Sequence, residues 1–368
     1  MSNTLGMRHY DFVEFYVGSA KIAAYWYAKA LGMAIEGYSG PETGIRDRCS
    51  YLLTLGDLKF VLTSALMPST VEVQSFLSLH GDGVKRWAVN VENVKSAFEY
   101  GVSHGMIPIR IPERLEDDNG WVEEAAFKLY DDTEVVLVNR DNYRGIFRPG
   151  FGPAVQEIDL AATPTGLNKI DHIVGNVREN EMNRWAETFN LGFDFETFVD
   201  FGPGDITTQY SALLSKVVRS KDNSIKNPIN EPFEGLKMSQ IEEYIREYRG
   251  TGVQHIAIST DDLLATITAL RKNGVEFLKI PDTYYDAWRE KNPPIQESID
   301  DLQKQGILLD FEGEGYLLQL FTKPIGDRPT FFFEFIQRTG KSEGFGQGNF
   351  QALFDAIEMD QERRGNLV

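Results

Sequence analysis

Residues 10–33, "YDFVEFYVGSAKIAAYWYAKALGM", begin with a run of apolar and aromatic residues. A short polar turn follows, then apolar positions at helical spacing and a Leu-Gly pair. This order predicts a strand, a turn and an amphipathic helix with a glycine stop. Residues 170–193, "IDHIVGNVRENEMNRWAETFNLGF", predict the same series. A second pair, "GVKRWAVNVENVKSAFEYGVSHGM" (83–106) and "GVQHIAISTDDLLATITALRKNGV" (252–275), predicts a strand, a helix start containing Asn or Asp, a helix and a glycine stop. A third pair, "EVVLVNR" (134–140) and "FFEFIQR" (332–338), predicts strands rich in β-branched or aromatic residues.

Three matched landmarks in one order predict an internal duplication. The halves run roughly from 7 to 150 and from 165 to 340, each built from two βαβββ units, with a linker near "RPGFGPAVQEIDLAATPTG". The domains expected from this are 1–152 and 153–368. The spacing between matched residues grows from 160 at Asp11/Asp171 to 169 at Gly83/Gly252 and 198 at Arg140/Arg338. The second half therefore carries an insertion of about 29 residues late in its course. The polar, Pro-containing segment "YYDAWREKNPPIQESIDDLQKQGILLD" (284–310) is its expected place, with a helical stretch of its own.

Composition narrows the picture. With 42% hydrophobic and 12% aromatic residues over 368 positions, the chain can fill real cores. A formal charge of -18 argues against nucleic acid and against anionic membrane surfaces. No run of 18 apolar residues predicts a membrane span, and the N-terminus lacks the pattern of a secretory signal. The single cysteine, Cys49, cannot form an internal disulfide and is expected as a buried or half-buried thiol in a reducing cytoplasm.

Against this background the five histidines become informative. His9, His80 and His104 fall near a strand start, a loop and a helix end, and all three are expected in solvent. His172 and His255 fall at corresponding strand positions of successive units, and the third landmark supplies Glu334. Period-two alternation puts Ile170 and Val174 beside His172, Val253 and Ala257 beside His255, and Phe332 and Ile336 beside Glu334. A polar group on such an apolar face needs a partner. Two imidazoles and one carboxylate form the facial set that holds non-heme Fe(II) and leaves positions open. The first half has Phe12, Arg86 and Val136 at the three places, so one site per chain is expected, in the second half.

The string "LLQLFTKPIGDRPTFFFEFIQR" (317–338), together with "PINEP", "KMSQI", "GVQHIAI" and "GFGQGNFQALFDAIE", resembles the 4-hydroxyphenylpyruvate dioxygenase family over nearly the whole chain. The resemblance implies an α+β fold of two tandem vicinal-oxygen-chelate (glyoxalase-like) domains, each a barrel-like sheet of paired βαβββ units, plus a C-terminal lid helix. It implies Fe(II) on His172, His255 and Glu334. It also implies substrate contacts from Ser215, Asn230, Gln240, Gln254 and Gln319, and an aromatic shell of Phe321, Phe332, Phe345, Phe350 and Phe354. No catalytic acid or base is assigned. Which polar residue meets the phenol and which the keto acid stays open.

The reaction so implied joins 4-hydroxyphenylpyruvate and O2, releases CO2, hydroxylates the ring and moves the side chain, giving homogentisate. Hydroxymandelate synthase, acting on the same substrate at the benzylic carbon, is the nearest alternative. A non-catalytic small-molecule binder of the same fold is the other. A homo-oligomer, dimer or tetramer, is the expected assembly. The final helix, about 349–364, carries Phe350, Leu353, Phe354 and Ile357 as one apolar stripe opposite the charged "DQERR". We read it as a lid, with "GFGQGNF" as a flexible hinge before it.

Overall fold

The computed structural model describes residues 4–154, 162–202, 212–233 and 235–366. The first unit is β1 (Met7–Tyr16), α1 (Ala20–Leu31), β2 (Ala34–Ser39), β3 (Arg48–Leu55) and β4 (Leu58–Ala65). Helix α2 (Val71–His80) leads to the second unit: β5 (Gly83–Val91), α3 (Val94–Ser103), β6 (Pro108–Asp117), β7 (Gly120–Leu129) and β8 (Thr133–Asn139). A two-residue strand, β9 (Gly152–Pro153), follows and pairs with β2.

The second half repeats the plan. Its first unit is β10 (Leu167–Asn176), α4 (Met182–Gly192), β11 (Glu196–Phe201), β12 (Ala212–Arg219) and β13 (Lys226–Phe233). Helix α5 (Gln240–Tyr248) precedes β14 (Gly252–Thr260) and α6 (Leu263–Asn273). Then come α7 (Asp282–Lys291), α8 (Ile299–Gln305), β15 (Leu308–Glu312), β16 (Gly315–Phe321), β17 (Phe332–Thr339) and α9 (Phe350–Arg364). The two curled sheets have orders β6-β7-β8-β5-β1-β4-β3-β2-β9 and β11-β12-β13-β10-β14-β17-β16-β15. Apart from β9, these are the same order of equivalent strands.

Local chemistry explains the boundaries. Helix α1 stops at Gly32, whose φ of 74° suits a residue without Cβ. Helix α5 opens on a capping box: Ser239 Oγ accepts from the Glu242 N–H at 3.2 Å, and the Glu242 carboxylate accepts from the Ser239 N–H at 2.7 Å. Strand β5 is buried at every position and β14 at all but Ser259, which fits strands central to their sheets.

Strand register makes the duplication exact at the level of residues. Phe12 pairs with Ala88 and Ala88 with Val136 in the first sheet. His172 pairs with Ala257 and Ala257 with Glu334 in the second. Glu14 likewise pairs with Arg86 where Val174 pairs with His255. In the first half Phe12, Ala88, Val136 and Phe147 belong to one apolar cluster, with Phe12 edge-on to Phe147 at 5.1 Å. Fully burying each phenyl contributes about 1.5–3 kcal/mol. Aromatic pairs also join the halves, with Phe15 edge-on to Phe331 at 5.2 Å and Phe60 stacked on Phe333 at 5.8 Å.

Four expectations change. The start of the linker segment is ordered as β9, while residues 155–161 lie outside the described ones. The insertion holds two helices rather than one, because Pro293 and Pro294 interrupt the helical run between α7 and α8. His80 is neither in a loop nor in solvent. It ends α2, is fully buried, stacks on Tyr248 at 4.1 Å, and bonds the Tyr248 carbonyl and the Asp132 carboxylate at 2.6 and 2.9 Å. On α9, Gln361 is fully buried and does not share the outer charged face, since it lies one turn beyond Ile357.

Candidate metal centre and substrate cavity

Strands β10, β14 and β17 are neighbours in the second sheet, and each contributes one buried polar side chain to its inner face. Nε2 of His172 lies 3.2 Å from Glu334 Oε2, and Nε2 of His255 lies 3.3 Å from the same oxygen. Among the described residues this is the one group of three or more His, Cys, Asp or Glu side chains with converging ligand atoms, all within 4.8 Å of one another.

The other imidazole nitrogens are already committed. His172 Nδ1 donates to Asp171 Oδ1 at 2.8 Å, and His255 Nδ1 donates to Gln254 Oε1 at 2.9 Å. A carboxylate and an amide oxygen can only accept, so each ring carries its proton on Nδ1 and turns the Nε2 lone pair inward. Two lone pairs and a carboxylate then meet with no donor between them. A divalent cation satisfies all three acceptors, so the residues fit a metal.

The electrostatics point the same way. Burial opposes charge on Glu334, yet His172 and His255 hold its pKa down, to about 2. Burial lowers the pKa of His172, but Glu334 and Asp171 overcome this and raise it. For His255 burial wins and the pKa falls. Asp171, despite its burial, is held well below the carboxylate range by Arg338, whose two nitrogens reach it at 2.8 and 2.9 Å. The Glu334 carboxylate is therefore held ionised at the point where the three ligand atoms converge.

In the first half the corresponding Arg86 guanidinium is itself the cation. It pairs with Glu14 and Glu134 at 3.4 Å each and with Glu72 at 3.1 Å. Phe12 and Val136 beside it offer no ligand atom.

A cavity of about 590 Å³ opens over the three ligands. Ser215, Asn230, Gln240, Gln254, Phe321, Phe332, Phe345 and Phe354 all line it. Ser215 and Asn230 are register partners on β12 and β13, so they form one polar patch. Phe332 stacks on the His255 ring at 4.8 Å, and Phe345 meets His172 edge-on at 5.1 Å.

Gln319 does not line the cavity. It is 1% exposed and backs onto Gly346, whose Cβ would collide with the Gln319 amide. The Phe350 side chain lies outside the described residues. Phe201, Leu213 and Val217 line the cavity and were missed. Leu213 and Val217 flank Ser215 on one face of β12, so alternation from Ser215 would have found them.

Helix α9 covers the cavity with Leu353 and Phe354. Its far end is tied to α5 by Arg364, which reaches the Glu243 carboxylate at 2.6 and 3.0 Å. Its near end is tied by Asn349 to the Tyr284 hydroxyl at 2.7 Å. Two of the glycines before it, in the segment expected as a hinge, make close contacts: Gly346 has φ +71° over Gln319, and the Gly348 N–H donates to Asp310 at 3.0 Å.

A curled sheet of paired βαβββ units around a two-His, one-carboxylate group defines a class, and the profile of the Glyoxalase/Bleomycin resistance protein/Dioxygenase superfamily matches residues 169–294. The chain is 42% identical to 4-hydroxyphenylpyruvate dioxygenase of Aspergillus fumigatus, over 100% of this chain and 96% of that protein. It is 43% identical to 4-hydroxyphenylpyruvate dioxygenase of Yarrowia lipolytica, over 98% and 94%. A solved triple mutant of 4-hydroxymandelate synthase from Streptomyces coelicolor superposes with TM-score 0.85 at 28% identity, over 97% of this chain and 99% of that one. The chain belongs to the 4-hydroxyphenylpyruvate dioxygenase family. No helix among the described residues is long and apolar enough to cross a membrane.

Proposed function

We propose that this chain converts 4-hydroxyphenylpyruvate and O2 into homogentisate and CO2, using Fe(II) held by His172, His255 and Glu334. The observation that carries the reading is the convergence of these three ligand atoms on the floor of a cavity walled by phenyl rings and neutral amides. Residues 153–368 would form the catalytic domain and 1–152 a metal-free partner, in keeping with Phe12, Arg86 and Val136 at the equivalent places.

When bound, Fe(II) supplies a Lewis acid for a 2-oxo acid and the electrons that start dioxygen reduction. The chain's own part is binding, orientation and exclusion of water. Phe321, Phe332, Phe345 and Phe354 enclose the ring and keep the site dry, which strengthens every polar contact inside. Gln254 Oε1 accepts a hydrogen bond from His255 Nδ1–H, which leaves the Gln254 NH2 for the substrate. Ser215, Asn230 and Gln240 offer further neutral partners, so the phenol and keto acid are oriented without added charge beside the metal. Asp171 holds the His172 proton on Nδ1 throughout.

The fold shared with 4-hydroxymandelate synthase favours one second reading, attack on the benzylic carbon of the same substrate. Pro228 and Asn230 on the cavity wall match the dioxygenase pattern and support the first. Oxygen uptake with Fe(II) and 4-hydroxyphenylpyruvate, followed by product identification, separates them. Homogentisate supports the proposal, hydroxymandelate supports the second reading, and no oxygen uptake refutes both.

A further inference from the structure

The duplication brings two equivalent corners of the chain face to face, and their lysines line one cleft. Phe15 pairs with Leu62 where Gly175 pairs with Ile229, and Tyr16 pairs with Thr63 where Asn176 pairs with Asn230. Lys59 and Lys226 are therefore counterparts, three residues before Leu62 and Ile229. His9 and Lys169 are counterparts too, two residues before Asp11 and Asp171. The corners touch directly: the Tyr10 hydroxyl donates to the Lys226 carbonyl at 2.6 Å, and the Asp57 N–H donates to the Asn168 carbonyl at 3.0 Å. Between them lies a solvent-open cleft of about 930 Å³ whose walls include Arg8, His9, Lys59, Lys169 and Lys226.

The charges in this cleft do not balance. Asp57 and Asp171 are its acidic groups, and Asp171 is already engaged by Arg338 and His172. Arg8 is engaged by Asp141 at 3.0 Å. That leaves Lys59, Lys169 and Lys226 facing one free carboxylate, in a chain whose formal charge is -18. Lys226 is 8% exposed, and its amine has no hydrogen-bond or ion-pair partner among the described residues. Burial pushes its pKa below the ordinary lysine value, against the pull of Asp171. The Lys226 stem is buried while its amine reaches the solvent of the cleft, where an anion can meet it.

We propose that this cleft, which shares Asp171 with the surroundings of the metal centre but none of its three ligands, is an anion-binding site that takes a small doubly charged oxyanion between Lys59 and Lys226. Lysines suit such a ligand because a compact ammonium on a flexible stem meets phosphate or carboxylate oxygens without demanding a fixed planar geometry. Inorganic phosphate and a short dicarboxylate share the required chemistry.

The test is calorimetric titration of the metal-loaded full chain with inorganic phosphate and, separately, with succinate, at constant ionic strength. Saturable binding of at least one of them at one per chain is expected. Lys59→Met and Lys226→Met should each weaken it by about tenfold, the loss typical of one charged hydrogen bond. Lys21→Met on α1 is the surface control and should change nothing. In the unmutated chain, saturating anion should also protect Lys59 and Lys226, but not Lys21, from acetylation as read by mass spectrometry, which needs no variant to fold. Absence of saturable binding by both anions, binding unchanged in the Lys59→Met/Lys226→Met double variant, or equal acetylation of all three lysines with and without anion would overturn the proposal.

Discussion

Asp171 accepts a hydrogen bond from His172 Nδ1 at 2.8 Å while Arg338 grips the same carboxylate at 2.8 and 2.9 Å. The first half keeps the Asp–Arg pair without the histidine: Arg140 reaches Asp11 at 2.8 Å. Each arginine also donates to a backbone carbonyl beyond its strand, Gly344 for Arg338 and Phe147 for Arg140. The pair is thus part of the duplicated scaffold, and only in the second half does it also fix a metal ligand.

This gives a controlled comparison. Asp171→Asn should weaken divalent metal binding by about 10–100-fold, the usual effect of removing a partner that orients a ligand. Asp11→Asn removes the same ion pair and should lower stability while leaving metal affinity unchanged. Metal titration of both variants beside urea melts decides it, and equal metal affinity in the two would contradict the role given to Asp171.

The lid helix leads to a second expectation. Ending the chain before Gly344 removes Phe345, Leu353 and Phe354 from the cavity wall and also the Arg364–Glu243 tie. The remaining chain should fold and bind metal, yet lose most of its turnover as water enters. Steady-state kinetics beside metal stoichiometry measures this, and unchanged turnover would remove the lid from the account.

Gly346→Ala tests the close approach itself. Its φ of +71° disfavours any Cβ, and the new methyl would meet the Gln319 amide inside a fully buried contact. We expect destabilisation of about 1–3 kcal/mol in thermal or urea melts. A variant as stable as the parent would show that this loop yields freely.

Acid stability should report on Glu124. It is buried, which favours its neutral form, but Arg148, Arg140 and Arg110 hold its pKa below the ordinary value. A carboxylate with a lowered folded pKa adds stability above its unfolded value, about 4.3, and loses it as pH falls through the folded value. Glu124→Gln should cost about 3–5 kcal/mol near neutrality, by removing the buried carboxylate that Arg110 and Arg148 reach at 3.2 and 3.3 Å. The same variant should show a shallower loss of stability below about pH 4. Urea melts from neutral pH downward give both numbers, and parallel curves for parent and variant would contradict the assignment.

The duplication explains why so much of the centre was legible in the sequence. Phe12, Arg86 and Val136 show the strands forming without His172, His255 and Glu334, so those three residues need a reason beyond folding. Alternation then indicated which of their neighbours share a face. Contacts between residues distant in sequence left no such trace. His80 looked solvated because its partners, Tyr248 and Asp132, lie 168 and 52 residues away. Gln319 shares a strand face with Phe321, and only the return of the chain at Gly346 shows that it is covered. The cleft between Lys59 and Lys226 depends on two corners meeting, which no local pattern encodes.

The most direct measurement is equilibrium Fe(II) binding, under anaerobic conditions, to the parent chain and to His172→Ala, His255→Ala and Glu334→Ala. One iron per chain in the parent and its loss in each variant is the predicted result. Stoichiometric Fe(II) retained by all three variants would contradict the metal centre on which the whole account rests.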